Sequence, residues 1–145
     1  MTEDSNALHF HYDVDGNNFT SAGEASVQVK RMLRQMGYHP DLIRRISVAM
    51  YEGEINMVIH AKGGDADVYV TPDCITVVLK DVGPGIKDVE LAMQEGYSTA
   101  PDNIRSLGFG AGMGLPNMKR NASEFDIQSE VGVGTTITMS FGLKG

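Results

Sequence analysis

The sequence predicts an α+β sandwich, a mixed and mostly antiparallel sheet covered by helices. Period-two alternation near both ends of the chain marks strands, at Leu8, Phe10 and Tyr12 and again over Thr136 to Phe141. Between them, from about residue 24 to residue 60, the apolar residues recur with a helical period. Short turn clusters join neighbouring strands, and hairpin-type connections imply antiparallel pairing.

Each element follows in order. Leu8, Phe10 and Tyr12 alternate with His9, His11 and Asp13, the pattern of a half-buried strand. Asp15-Gly16-Asn17-Asn18 is a turn cluster. Ser21 and Glu24 have capping-box spacing. Ala25, Val29, Met32, Leu33 and Met36 then keep a helical period, and Gly37 supplies the stop. Pro40 suits the first turn of a second helix. Its apolar face is Ile43, Ile46, Met50 and Val58, and Gly63-Gly64 ends it. Val68 to Val70 and Ile75 to Leu79 are strands around the turn Thr71-Pro72-Asp73. Residues 81–87 form a Gly/Pro loop, and Val89 to Glu95 a short helix. Residues 96–112 are glycine-rich and too long for a plain connection. Met113 to Asn121 is helical, Phe125, Ile127 and Ser129 a strand, and Val131 to Gly134 the turn before the last strand. No repeat or linker interrupts this order, so residues 1–145 are expected to form a single domain.

Composition narrows the function. A chain of 145 residues, 41% hydrophobic and 21% charged, is neither disordered nor collagen-like. No apolar run approaches the roughly 20 residues needed to cross a bilayer, so no membrane association is expected. The acidic, polar start argues against a signal peptide. The single cysteine, Cys74, cannot form an internal disulfide and reads as a core residue at a strand start; a cytoplasmic home is expected. A net charge of −7 disfavours nucleic acid as a partner.

Chemistry-bearing residues gather in segments rich in the chain's 17 glycines. Glu52, Asn56 and His60 are spaced i, i+4, i+8 and share a helix face. An amide oxygen is a hard ligand suited to Mg²⁺, and a neighbouring carboxylate can take a proton from a hydroxyl or position a water. The same spacing also describes an ordinary solvated stripe. Gly53 inside this helix costs roughly 0.8–1 kcal/mol relative to Ala, so it marks either a close approach or a packing accommodation. Asp81-Val82-Gly83-Pro84-Gly85-Ile86 follows a strand directly. A carboxylate there can accept a hydrogen bond from a base amino group, and the glycines clear space beside it. Gly108-Phe109-Gly110-Ala111-Gly112-Met113-Gly114-Leu115 leads into a helix and exposes backbone N–H groups suited to an anion. It lacks the Gly-Lys-[Ser/Thr] of a P-loop. Gly132-Val133-Gly134-Thr135-Thr136 precedes the final strand and offers a threonine hydroxyl.

These four segments in this order resemble the nucleotide-binding boxes of the GHKL superfamily, from about residue 47 to the C-terminus. The local text is similar to the small bacterial anti-sigma factor serine/threonine kinases and the related stressosome switch kinase. Asn56 to His60, Asp81 to Ile86, Gly96-Tyr97-Ser98-Thr99 and Glu124 to Glu130 carry that likeness. The resemblance implies a two-layer sandwich with helices on one face, the Bergerat or histidine kinase-like ATPase fold. It implies ATP and Mg²⁺ as cofactors, Glu52 as catalytic carboxylate and Asn56 as the Mg²⁺ ligand. Asp81 would read adenine, with Gly83, Gly85 and Ile86 in the adjoining loop and Thr135 assisting. Residues 96–114 would form a lid in which Gly110, Gly112 and Gly114 cradle phosphates and Arg105 meets the γ-phosphate. The implied function is a protein-serine/threonine kinase of a partner-switching pathway. Its substrate would be a STAS-domain protein and its alternative partner a sigma factor or phosphatase, with homodimers known among relatives. Two other readings compete: a non-catalytic, ATP-gated binding module, and a histidine-kinase catalytic domain served by a histidine-bearing partner. Met93, Met113 and Met118 could supply an adaptable partner surface near the lid.

Overall fold

The computed structural model describes residues 7–15, 23–60, 63–83 and 114–143, and these described residues form five strands and three helices. The order is β1 (Leu8–Asp15), α1 (Glu24–Gln35), α2 (Pro40–His60), β2 (Gly63–Val70), β3 (Cys74–Asp81), α3 (Gly114–Asn121), β4 (Glu124–Glu130) and β5 (Gly134–Gly142). The sheet runs β1-β2-β3-β5-β4. Every pairing among the described residues is antiparallel, with registers such as Phe10 opposite Val68, Val68 opposite Val77, and Val77 opposite Met139.

Alternation along each strand separates two faces. Ala66, Val68 and Val70, Ile75, Val77 and Leu79, and Ile137, Met139 and Phe141 are buried and join the helices in one apolar core. The opposite face carries His9, His11, Asp65, Asp67, Thr76 and Lys80, which are half-buried or exposed. Cys74 alternates onto this polar face, half-buried near the hydroxyls of Thr71 and Thr76, and so is not the core residue expected. The apolar contacts cover one face of a twisted antiparallel sheet, the usual solution for an α+β layer.

Local chemistry sets the helix ends. Gly37, at φ 84°, closes α1 in a Schellman motif: its N–H donates to Arg34 O and that of Tyr38 to Leu33 O, both at 3.2 Å. Met36, expected in the apolar stripe, is instead the C-cap residue and 40% exposed. Pro40 opens α2 as expected, and the Asp41 N–H donates to His39 Nδ1 at 3.1 Å, so an imidazole caps this helix. The capping box is not what starts α1. Glu24 is its first helical residue, Gly23 is the N-cap, and among the described residues no local side chain caps it; Ser21 lies outside the described residues. The acceptor comes from α2. Glu54, 2% exposed, takes the N–H groups of Gly23 and Ala25 on Oε2, each at 3.1 Å, and that of Ser26 on Oε1 at 2.7 Å.

Gly63 and Gly64 belong to β2, not to a helix end, because they pair with Asp15 and Val14 on β1. The strand therefore starts well before the expected Val68. Met118 is fully buried, so it is core and no partner surface; Met93 and Met113 lie outside the described residues.

Candidate functional site

The described candidate residues come from α2, the end of β3 and the residues just after it, the start of α3 and the start of β5. Glu52 and Asn56 sit one turn apart on α2, both half-buried, while Gly53, Glu54 and Ile55 between them are buried. Gly53 is a packing accommodation: a Cβ there would run into Leu79 Cδ1 of β3 and lie 3.4 Å from Met118 Sδ of α3. The missing side chain lets α2 settle on the sheet with α3 alongside, which fixes the turn that carries Glu52.

Glu52 is not left as a solvated stripe. Its Oε2 accepts a hydrogen bond from Asn117 Nδ2 of α3 at 2.9 Å. Asn117 Oδ1 in turn accepts from Arg120 Nη1 at 2.8 Å. Spacing along α2 could not show Asn117; the packing of α3 against α2 brings it there. The side chain of His60 lies outside the described residues.

Asp81 is the last residue of β3, as the strand-end reading requires. Its Oδ1 accepts the Thr135 backbone N–H at 2.8 Å. Burial pushes its carboxyl above the usual aspartate value, and the Thr135 hydrogen bond offsets part of that rise. The hydroxyl expected to support it points elsewhere: Thr135 Oγ1 shares a hydrogen bond with Ser129 Oγ at 2.8 Å, so Thr135 supports Asp81 through its main chain. Gly134, at φ 152°, has no room for a side chain, because a Cβ would run into the main-chain oxygen of Asp81. That close approach presents the Thr135 N–H to the carboxylate. Gly83 N–H donates to Val133 O at 3.3 Å and ties the loop entry to the β4–β5 turn.

Gly85, Ile86, Arg105, Gly110 and Gly112 lie outside the described residues, and Gly114 begins α3. The donor set that is described suits a nucleotide and its metal: an amide and a carboxylate with hard oxygens on one helix face, and an oriented strand-end carboxylate. A groove of about 380 Å³ lined by Gly23, Glu24, Val27, Gln28, Arg31 and Tyr51 involves none of these residues.

Comparisons with known proteins agree on one family. Serine/threonine-protein kinase RsbT of Bacillus subtilis is 30% identical over 112 residues, 74% of this chain and 78% of the relative. An anti-sigma F factor of Clostridium novyi is 32% identical over 126 residues, 83% of this chain and 85% of the relative. A crystal structure of RsbU and RsbW domains from Mycobacterium tuberculosis superposes with a TM-score of 0.63 at 18% identity. It covers 92% of this chain, which spans 32% of that longer one, and it supports the fold alone. The model of the histidine kinase-like ATPase domain matches residues 17–141. That match takes in α1, α2, the strands from β2 onward and every candidate site residue, and the chain belongs to the histidine kinase-like ATPase family.

Proposed function

We propose that this chain is an ATP-dependent protein-serine/threonine kinase of a bacterial partner-switching pathway, acting on a STAS-domain protein. The observation that carries the reading is the Glu52–Asn56 pair on one face of α2, with Glu52 hydrogen-bonded in place. Family membership and the names of the relatives support it.

In this reading Asn56 Oδ1 ligates Mg²⁺, and Asp81 accepts a hydrogen bond from the adenine amino group. When bound, Mg²⁺ neutralises charge on the phosphates. Glu52 takes the proton of the acceptor hydroxyl as that oxygen bonds the γ-phosphorus and the bond to the β–γ bridging oxygen breaks, leaving ADP. A base so placed contributes about 10²–10⁴-fold. Gly83, Gly85, Ile86 and Thr135 belong to the adenine side, and Arg105, Gly110, Gly112 and Gly114 to the phosphate side. The chain acts as one domain in the cytoplasm, with a sigma factor or phosphatase as alternative partner and a homodimer as its assembled form.

The test is transfer of label from γ-labelled ATP, with Mg²⁺, to a STAS-domain protein of the same genome. Label on a serine or threonine of that protein, abolished in Glu52→Gln while ATP still binds, is the expected result. ATP binding without transfer overturns the kinase reading in favour of an ATP-gated binding module.

A further inference from the structure

We propose that Asn117 is a positioning residue for phosphoryl transfer, its side-chain amide setting the direction in which the Glu52 carboxylate faces. The inference rests on the reading of Glu52 as the base.

The amide has only one orientation compatible with its neighbours. Arg120 Nη1 lies 2.8 Å from Asn117 Oδ1. A guanidinium only donates, so the carbonyl end must face Arg120 and the NH₂ end must face Glu52. Glu52 Oε2, 2.9 Å from Asn117 Nδ2, is therefore the oxygen that receives a donor. An amide N–H gives a hydrogen bond but accepts no proton, which leaves Oε1 as the oxygen to take the proton of an acceptor hydroxyl.

The frame behind Asn117 is rigid. Asn121 Nδ2 donates to the Asn117 main-chain oxygen at 2.8 Å, and Arg45 Nε of α2 donates to the Asn121 main-chain oxygen at 3.0 Å. Met118, fully buried beside Gly53, locks the same turn of α3 against α2. The two helices hold donor and acceptor in register, and a carboxylate otherwise free to change rotamer is kept in one. Positioning of this kind matters because a misplacement of about 1 Å at the reacting group costs about 10²-fold in rate.

Three proteins test the proposal: wild type, Asn117→Ala and Asn117→Asp. Each is assayed with Mg-ATP and the STAS-domain protein for ATP affinity and for the transfer rate at saturation across pH. Asn117→Ala is expected to lose about 10–100-fold in rate at saturation, with ATP affinity within about twofold of wild type, the signature of a group that acts on kcat alone. Asn117→Asp puts a second carboxylate against Glu52 and is expected to move the acid limb of its rate–pH profile up by about one pH unit, since like charges disfavour ionisation. A residue that merely glued α3 to α2 would shift affinity together with rate in Asn117→Ala, and that result overturns the proposal. So does wild-type transfer by Asn117→Ala while Glu52→Gln is inactive, which leaves the kinase reading standing. Wild type that binds Mg-ATP and transfers nothing overturns both.

Discussion

Removing the Glu54 carboxylate should loosen α1 from the helix that carries the candidate catalytic turn. Three backbone N–H groups converge on it: those of Gly23 and Ala25 on Oε2 and that of Ser26 on Oε1. All three bonds are buried, and each orphaned donor costs about 1–3 kcal/mol. Glu54→Ala removes every acceptor and leaves a cavity, so a loss of about 3–5 kcal/mol is expected, a large share of the 5–15 kcal/mol typical of whole domains. Glu54→Gln keeps one acceptor oxygen. With that oxygen on the two-donor side, one N–H meets an NH₂ group, and the loss falls to about 1–3 kcal/mol. Urea unfolding at neutral pH, followed by circular dichroism, measures both, and the order wild type, Gln, Ala is the expected ranking. An alanine variant within about 0.5 kcal/mol of wild type, the range of ordinary surface changes, would refute the claim that Glu54 caps α1.

Further outcomes follow from the same geometry. Gly53→Ala should destabilise by about 1 kcal/mol, because overpacking against Leu79 outweighs the helix-propensity gain; in a Leu79→Ala background the sign should reverse, as urea unfolding of the double-mutant cycle would show. Nucleotide affinity should fall as pH drops through the raised value of Asp81, and Asp81→Asn should weaken ATP binding about 10–100-fold, a loss of about 1.4–3 kcal/mol measurable by calorimetry. Hydrogen bonds donated to Asp67 and then to Asp13 raise His11 above 6.5; Asp67 is pushed up by burial, but the bonds from His11 and His9 outweigh that and hold it below 3.8. The His11 contribution is full below 6.5 and lost as pH rises through its folded value. That of Asp67 is full above 3.8 and lost as pH falls through its folded value. Their joint stabilisation is therefore full between those limits, and His11→Gln should lower the urea midpoint there while leaving it unchanged above the folded value of His11.

Much of the fold was legible because periodicity reports burial directly. Phe10 and Tyr12 announce β1, although Leu8 of the same alternation is exposed; Pro40 and Gly37 punctuate the helices, and Asp81 closes its strand where the motif requires. What escaped depends on contacts between distant segments. Gly63 and Gly64 have poor strand propensity, yet pairing with β1 makes them strand. The capping-box spacing at Ser21 and Glu24 says nothing of Glu54, because that acceptor arrives from a helix about thirty residues along, and helix caps need not be local. Cys74 looks apolar in sequence, but strand alternation puts it on the polar face. Within the site, Glu52, Asn56 and Asp81 were readable from spacing and strand position. The Thr135 main-chain donor and Asn117 were not, since each reaches its carboxylate only through tertiary packing.

The most direct test is calorimetric titration of the folded chain with ATP, with and without Mg²⁺, alongside Asn56→Ala. Wild type is expected to bind ATP at a single site with an affinity that rises with Mg²⁺, and Asn56→Ala to lose that metal dependence. A folded wild-type chain that takes up ATP equally well in a chelator would contradict the placement of the metal on α2, and one that takes up no ATP would contradict the account as a whole.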